Sequence, residues 1–455
     1  MTVRKPADEF VEWLNKHNGS PYSAVAGTTE MLEAHGIHEE DATETSMKGY
    51  MIREKSAILA WKRSPDFDMA TGNVIVFASH TDSPCLRSRP HGDVIKEEVA
   101  QLGVTTYGGG LWHTWYDRPL GICGLVCYSV PQTLEKCREE GSLIKPEMAV
   151  IRSPDPIGIV PNLCIHLQNR DEAQSFKPQT EDTLVPIIST GPLENGLKDY
   201  IAQQVCEQQV SAQQVCAQQV SATVCGSDIL SYDLCLYDTE PAQVFGVRKD
   251  LISAQGLDNK SSLWSTFNAF TRIDISKAKN RLVICVGFDN EEVGSNSIVG
   301  AASNLLPKAL GRLCPTTPID SNCVIFSCDA AHAVHPNYPG KHQALHKPKM
   351  NAGVVAKINV NERYATTPKA IANLRSLRLV GDDELQEFIV RNDTPCGSTI
   401  GPILATALGC QTIDIGIPIL AMHSVREVCG VQDIESMLQF CEKAAYKYHP
   451  EGWLL

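Results

Sequence analysis

Residues 281–295 read RLVICVGFDNEEVGS, an apolar run that ends in acid. Leu282, Val283, Ile284, Cys285, Val286 and Phe288 leave no wet side, the pattern of a parallel strand covered on both faces. Asp289, Glu291 and Glu292 follow at once. Burying adjacent carboxylates is costly unless a cation or a hydrogen-bond network compensates, so acids at the mouth of a core strand need a reason. A solvated loop capping the next helix is one reason and a functional site is another. The rest of the chain decides between them.

Outward from this stretch the same form recurs. NVIVFAS (73–79) is a second buried strand and runs into His80-Thr81-Asp82. A His two residues before an Asp at a strand end lets the imidazole bind a metal while the carboxylate orients it, although a hydrogen-bonded structural His also fits. SNCVIFSCDA (321–330) is a third strand and ends in Asp329, with His332 and His335 beyond it. QTIDIGIP (411–418) is a fourth and leads to Met422-His423-Ser424. Between these two, Cys396 to Pro402 is a Gly-rich turn entering a helix, whose first amides can hold an anion. GLDN (256–259) precedes an amphipathic helix with Leu263, Phe267 and Phe270 on one face, and Asp258 is a favoured N-cap type there. Helices are also predicted over 6–17, 28–34 and 434–448.

From about 96 to 246 the character changes to glycine clusters and short alternating strands such as GICGLVCYSV, which predicts a β-rich insert. The expected domains are therefore 1–95 and 247–455 together, interrupted by 96–246. Gly108 to Gly110 lacks both the Lys-Ser/Thr ending and the Rossmann spacing, so it reads as a tight turn and not a phosphate loop. Inside the insert, QQV begins at Gln203, Gln208, Gln213 and Gln218. A five-residue period matches neither helix nor strand, and 202–222 is expected to be an exposed low-complexity loop.

The 455 residues exceed one ordinary core, and 43% hydrophobic residues place the chain among globular proteins. A formal charge of -13 argues against nucleic acid as the main partner. The 17 cysteines are odd in number and never form a CxxC pair, as expected of reduced thiols in a cytoplasmic protein. MTVRKPADEF lacks the apolar core of a signal peptide, and no apolar run reaches the ~18 residues of a membrane span.

In open α/β sheets the ligand site lies outside the carboxyl ends of the strands, where His80, Glu291, Glu292, Asp329 and His423 all fall. Two His and several carboxylates suit zinc or a similar divalent ion. Two metals sharing one bridging carboxylate need five ligands. His80, Asp258, Glu292, Asp329 and His423 supply them and leave Glu291 free to take a proton from water, which amounts to a hydrolase.

The chain resembles the aspartyl aminopeptidases, dinuclear zinc exopeptidases that remove N-terminal Asp or Glu. The matching stretches are HTDSP (80–84), YGGGLWHTWYDRPL (107–120), IHLQ (165–168), GLDN (256–259), FDNEEVGS (288–295), DAAHAVHPNY (329–338), KINVNERYAT (357–366), CGSTIGP (396–402) and MHSVRE (422–427). The resemblance implies an α/β fold, in which a zinc-exopeptidase-like catalytic domain with a central mixed sheet flanked by helices is interrupted by a β-rich dimerisation domain. Asp258 would bridge two zinc ions per subunit, with His80 and Asp329 on one, Glu292 and His423 on the other, and another divalent ion acceptable at one position. Glu291 would be the general base and Asp82 would orient His80. His332, Lys357 and Tyr364 would hold the acidic side chain of the substrate, and His166 would reach a neighbouring subunit's site in a dodecamer built from dimers. A peptide- or cargo-binding scaffold of the same fold, or a dinuclear hydrolase of another amide or a phosphoester, are the alternatives.

Overall fold

The computed structural model describes residues 5–129, 146–193, 196–213, 224–376 and 385–450. The chain divides into two compact units, Met1–Ser83 with Ala242–Leu455 and, between them, Pro84–Pro241. The insert thus begins before residue 96, because Cys85–Lys96 is one long strand of the second unit's sheet. It ends before 246, because Gln243–Phe245 pairs with Leu251–Ala254 in the first unit.

The first unit is built on an eight-stranded mixed sheet in the order Lys48–Arg53, Ala57–Arg63, Arg281–Phe288, Asn73–His80, Cys323–Cys328, Gln411–Gly416, Val355–Lys357, Gln386–Phe388. The four strands predicted from their apolar runs are its four adjacent parallel members. Alternation sends Ile75 and Phe77 to one face, against Phe10, Leu14, Phe267 and Leu438 of the helices Pro6–His17, Leu257–Arg272 and Val431–Lys447. Val74, Val76 and Ala78 face the other way, against Leu306, Leu310 and Leu404 of Leu305–Leu313 and Ile400–Leu408. Burial on both faces is why these strands lack polar alternation. A five-stranded sheet, Gln243–Phe245, Leu251–Ala254, Glu427–Gly430, Pro418–Leu420 and Ala331–His332, completes the unit.

One buried cation secures the helix that follows Asp258. Lys62, on the strand Ala57–Arg63, donates to the carbonyls of Phe270 (2.7 Å), Thr271 (3.1 Å) and Ile273 (3.0 Å), where the helix Leu257–Arg272 runs out of its own donors. Lys62→Met keeps the apolar stem and removes the donors. It is expected to destabilise the protein by about 1–3 kcal/mol. A urea midpoint equal to wild type would show that the carbonyls do not depend on Lys62.

The second unit is a six-stranded antiparallel sheet in the order Glu147–Arg152, Leu120–Tyr128, Ile229–Asp238, Cys85–Lys96, Val99–Tyr107, Ile187–Ser189. The expected loop over 202–222 is corrected in part. Leu197–Gln213 is a helix that buries Leu197, Ile201, Ala202 and Val205, and 214–223 lies outside the described residues. Leu197, Ile201 and Val205 recur every four residues, so the repeat's first copies inherit a helical frame set upstream. Every described cysteine is free, and among the described residues no helix is long and apolar enough to cross a membrane.

Candidate metal centre and active site

The parallel strands deliver their last residues to one edge of the sheet. Phe288 pairs with His80, and Ser327 with Ala78, so the segments after Phe288, His80 and Cys328 emerge side by side. Asp329 follows one of them directly. After another the chain turns through Asn290 (φ 61) into the short turn Glu291–Val293. Asp289 is buried and bonded to the backbone N–H of Asn290, which sets it apart from its acidic neighbours.

Asp82 organises this turn. Its Oδ1 accepts from the backbone N–H of Glu291 (3.2 Å), its Oδ2 accepts from that of Glu292 (3.1 Å), and His80 Nδ1 lies 3.2 Å from Oδ1. The far nitrogen of His80 is thereby aimed at Asp258 Oδ1 (3.5 Å) and Asp329 Oδ1 (3.4 Å). His423 Nε2 approaches the other oxygen of Asp258 (3.3 Å) and Glu292 Oε2 (3.3 Å). Ligand atoms of His80, Asp258 and Glu292 all lie within 4.8 Å of one another.

Asp258 does not cap the helix as expected. The chain enters through Gly256 in the left-handed region (φ 65), Asp258 and Asn259 are both non-helical so that the regular helix starts beyond them, and the Asp258 carboxylate turns into the cluster. Glycine is the residue that adopts that φ without strain.

The charges are out of balance. Burial, reinforced by Asp329, Asp82 and Asp258 against the pull of His80, pushes Glu291 up to about 8. Burial and Asp258 raise Glu292 well above the usual carboxylate range. Burial works against the charged imidazole of His423, yet Asp258 and Glu292 raise it to about 10. Asp258 Oδ1, Glu292 Oε1 and Asp329 Oδ1 are buried without a hydrogen-bond partner. Orphaned carboxylate oxygens are costly, and a cation is the natural partner for them. Two imidazoles with three carboxylates form a donor set that zinc accepts, so these residues fit the metal.

Above the cluster opens a cavity of about 570 Å³ with Glu291, His332, Lys357, Tyr364 and Thr399 on its walls. Lys357 Nζ is fully buried between Asp329 Oδ2 (2.9 Å) and the Ala330 carbonyl (3.2 Å), 5.2 Å from the Tyr364 ring centre. His332 sits edge-on to Phe388.

The profile of the family described as Aminopeptidase I zinc metalloprotease (M18) matches residues 13–443. The chain belongs to the M18 zinc metallopeptidases. It is a zinc aminopeptidase, similar over 95% of its length to the aspartyl aminopeptidase of Caenorhabditis elegans (36% identity, 93% of that protein covered). A probable M18 family aminopeptidase 2 of Pseudomonas putida is 36% identical over 94% of this chain and 95% of its own. Among solved structures, the cryo-EM structure of the Ape4 and Nbr1 complex has a TM-score of 0.86 at 29% identity, covering 97% of this chain and 85% of that one. The S. cerevisiae mApe1 dodecamer shares the fold, with a TM-score of 0.76 at 24% identity, covering 96% and 95%.

In this M18 chain the first unit gathers His80, Asp82, Asp258, Glu291, Glu292, Asp329 and His423 at one spot, with His332, Lys357 and Tyr364 on the cavity wall. His166 belongs to the second unit, in the exposed turn Ile165–Leu167. Two further buried acids beside the cluster and its cavity are Asp414 and Glu427. Asp414 accepts from Ala365 N–H (2.6 Å) and Thr399 Oγ1 (2.6 Å), tying two cavity loops to the sheet. A Cβ on Gly401 would come within 2.4 Å of that carboxylate, which is why the CGSTIGP turn has no side chain there. The acid in the middle of QTIDIGIP was the available signal. Glu427, the last residue of MHSVRE, is the other.

Proposed function

We propose that this M18 peptidase removes N-terminal Asp or Glu from peptides at a centre holding two zinc ions, one position of which also accepts another divalent ion. The observation that carries the reading is the pairing about Asp258. One of its oxygens faces His80, which also faces Asp329. The other faces His423, which also faces Glu292. His80 and Asp329 would hold one zinc, Glu292 and His423 the other, and Asp258 would bridge them. Zinc held there polarises a carbonyl and acidifies water.

The chain's own groups do the rest. Asp82 fixes the ring of His80 and the backbone of the glutamate turn. Glu291, the carboxylate left over from the ligand set, accepts a proton from the attacking water and returns it to the departing amine nitrogen. Lys357 would meet the substrate's side-chain carboxylate. An ammonium has three donors, and two are engaged by Asp329 and Ala330, leaving one for a ligand. His332 and Tyr364 would complete that pocket, and His166 would enter it from a neighbouring subunit. A homo-dodecamer built from dimers through the second unit, working in the cytoplasm on peptides, completes the reading.

Asp-, Glu-, Leu- and phosphate-bearing chromogenic substrates compared in one assay test it. Asp and Glu are expected to be released at least on the order of a hundredfold faster than Leu, because a neutral side chain leaves the buried donors unmet. A Leu rate equal to the Asp rate would sink the acidic specificity, and preferred cleavage of the phosphate substrate would sink the peptidase reading.

A further inference from the structure

Glu427 opens the strand Glu427–Gly430 and is 1% exposed. Its carboxylate accepts two backbone N–H groups, one on each oxygen. His423 donates to Oε1 at 2.7 Å and Asp258 donates to Oε2 at 2.9 Å. These are the residues whose side chains meet at 3.3 Å across the metal cluster.

The topology explains how one side chain reaches both. Its strand lies between Leu251–Ala254 and Pro418–Leu420, antiparallel to each, with Ala254 paired to Glu427. Chain leaving Ala254 turns through Gly256 to Asp258, which is outside helical geometry. Chain leaving Leu420 turns through Ala421 (φ 55) to His423 (φ 67). Neither residue lies in a strand ladder or in helical conformation, so neither amide has a partner from regular structure.

We propose that Glu427 is a positioning residue, a buried carboxylate clamp that holds the backbones of Asp258 and His423 and so fixes the spacing of their side chains toward one zinc. The inference rests on the two-zinc reading above. The two N–H donors arrive from different segments, one on each oxygen, and a carboxylate is the side chain that offers two acceptor oxygens in a fixed fork. Glutamine has one acceptor, and its NH2 would face an N–H. The charge is placed at a cost, buried beside Asp258, where stability alone would favour an uncharged residue. A carboxylate that serves only the fold would leave metal affinity untouched when replaced by its isostere.

The test uses the full chain as wild type, E427Q and E427D. Zinc binding is measured by competition with a chromogenic chelator, alongside circular dichroism, kcat and KM on an Asp substrate. E427Q is expected to keep its fold and KM, to bind one zinc ~10–100-fold more weakly, and to lose kcat that excess zinc restores. E427D, with both acceptors on a shorter arm, should fall between. Two zincs held as tightly in E427Q as in wild type would overturn the clamp alone. Should E427Q not fold, E427D decides, and wild-type affinity there overturns the clamp equally. A wild type that takes up a single zinc, weakened in E427Q, would instead sink the two-zinc reading and leave the clamp standing.

Discussion

Replacing Glu291 by Gln is expected to lower kcat on an Asp-terminated substrate by about 10²–10⁴-fold, the range for losing a positioned proton acceptor. Zinc content and KM should stay near wild type. The separation follows from the site: Glu291 lines the cavity, and the five ligand candidates pair among themselves without it. Its backbone is pinned to Asp82 through its N–H, which the substitution leaves alone, so the turn should hold. The amide is isosteric but cannot take the proton, so the defect should appear in kcat and persist at saturating substrate. Metal analysis with steady-state kinetics checks this. A kcat within threefold of wild type would remove Glu291 from the mechanism, and loss of zinc would recast it as a ligand.

Asp258→Asn should be more damaging in a different way. The amide has one acceptor oxygen where two imidazoles approach two. A shared ligand lost is lost to both metals, so zinc affinity is expected to fall by more than the ~10–100-fold that an outer partner costs. Activity should drop to background and should not recover with added zinc, unlike E427Q. The fold should survive, because the Asp258 carboxylate faces the two imidazoles and Asp258 lies outside the regular helix. Metal content by mass spectrometry and a thermal melt decide it. Full zinc occupancy in this variant would refute Asp258 as the bridge.

The four central strands were legible because burial on both faces writes itself as an unbroken apolar run, and the acids and histidines that close those runs mark one sheet edge. What stayed hidden was set by backbone, which leaves little trace in side-chain pattern. The hairpin Lys48–Arg53 and Ala57–Arg63 turns through Glu54 and Lys55, both at positive φ, a conformation that Asn and Gly ordinarily signal. Asp258 has the residue type that favours a cap, and only its non-helical backbone and the turn of its carboxylate toward His80 and His423 show otherwise. Glu427 and Asp414 bind backbone N–H groups in large part, so no partner residue in the sequence points to them. The Gln-rich repeat concealed a helix because Ile201 and Val205 hold the frame while the repeat imposes a different period.

The interruption of the first unit by the second has a consequence during synthesis. Asn73–His80 leaves the ribosome early, but both of its neighbours in the sheet, Arg281–Phe288 and Cys323–Cys328, are made only after the whole of Pro84–Pro241. Contacts this distant along the chain form slowly, and the middle strand meanwhile has two open edges. His423 comes later still. A nascent chain therefore holds His80 long before it can hold the full cluster, which is complete only once His423 has been made.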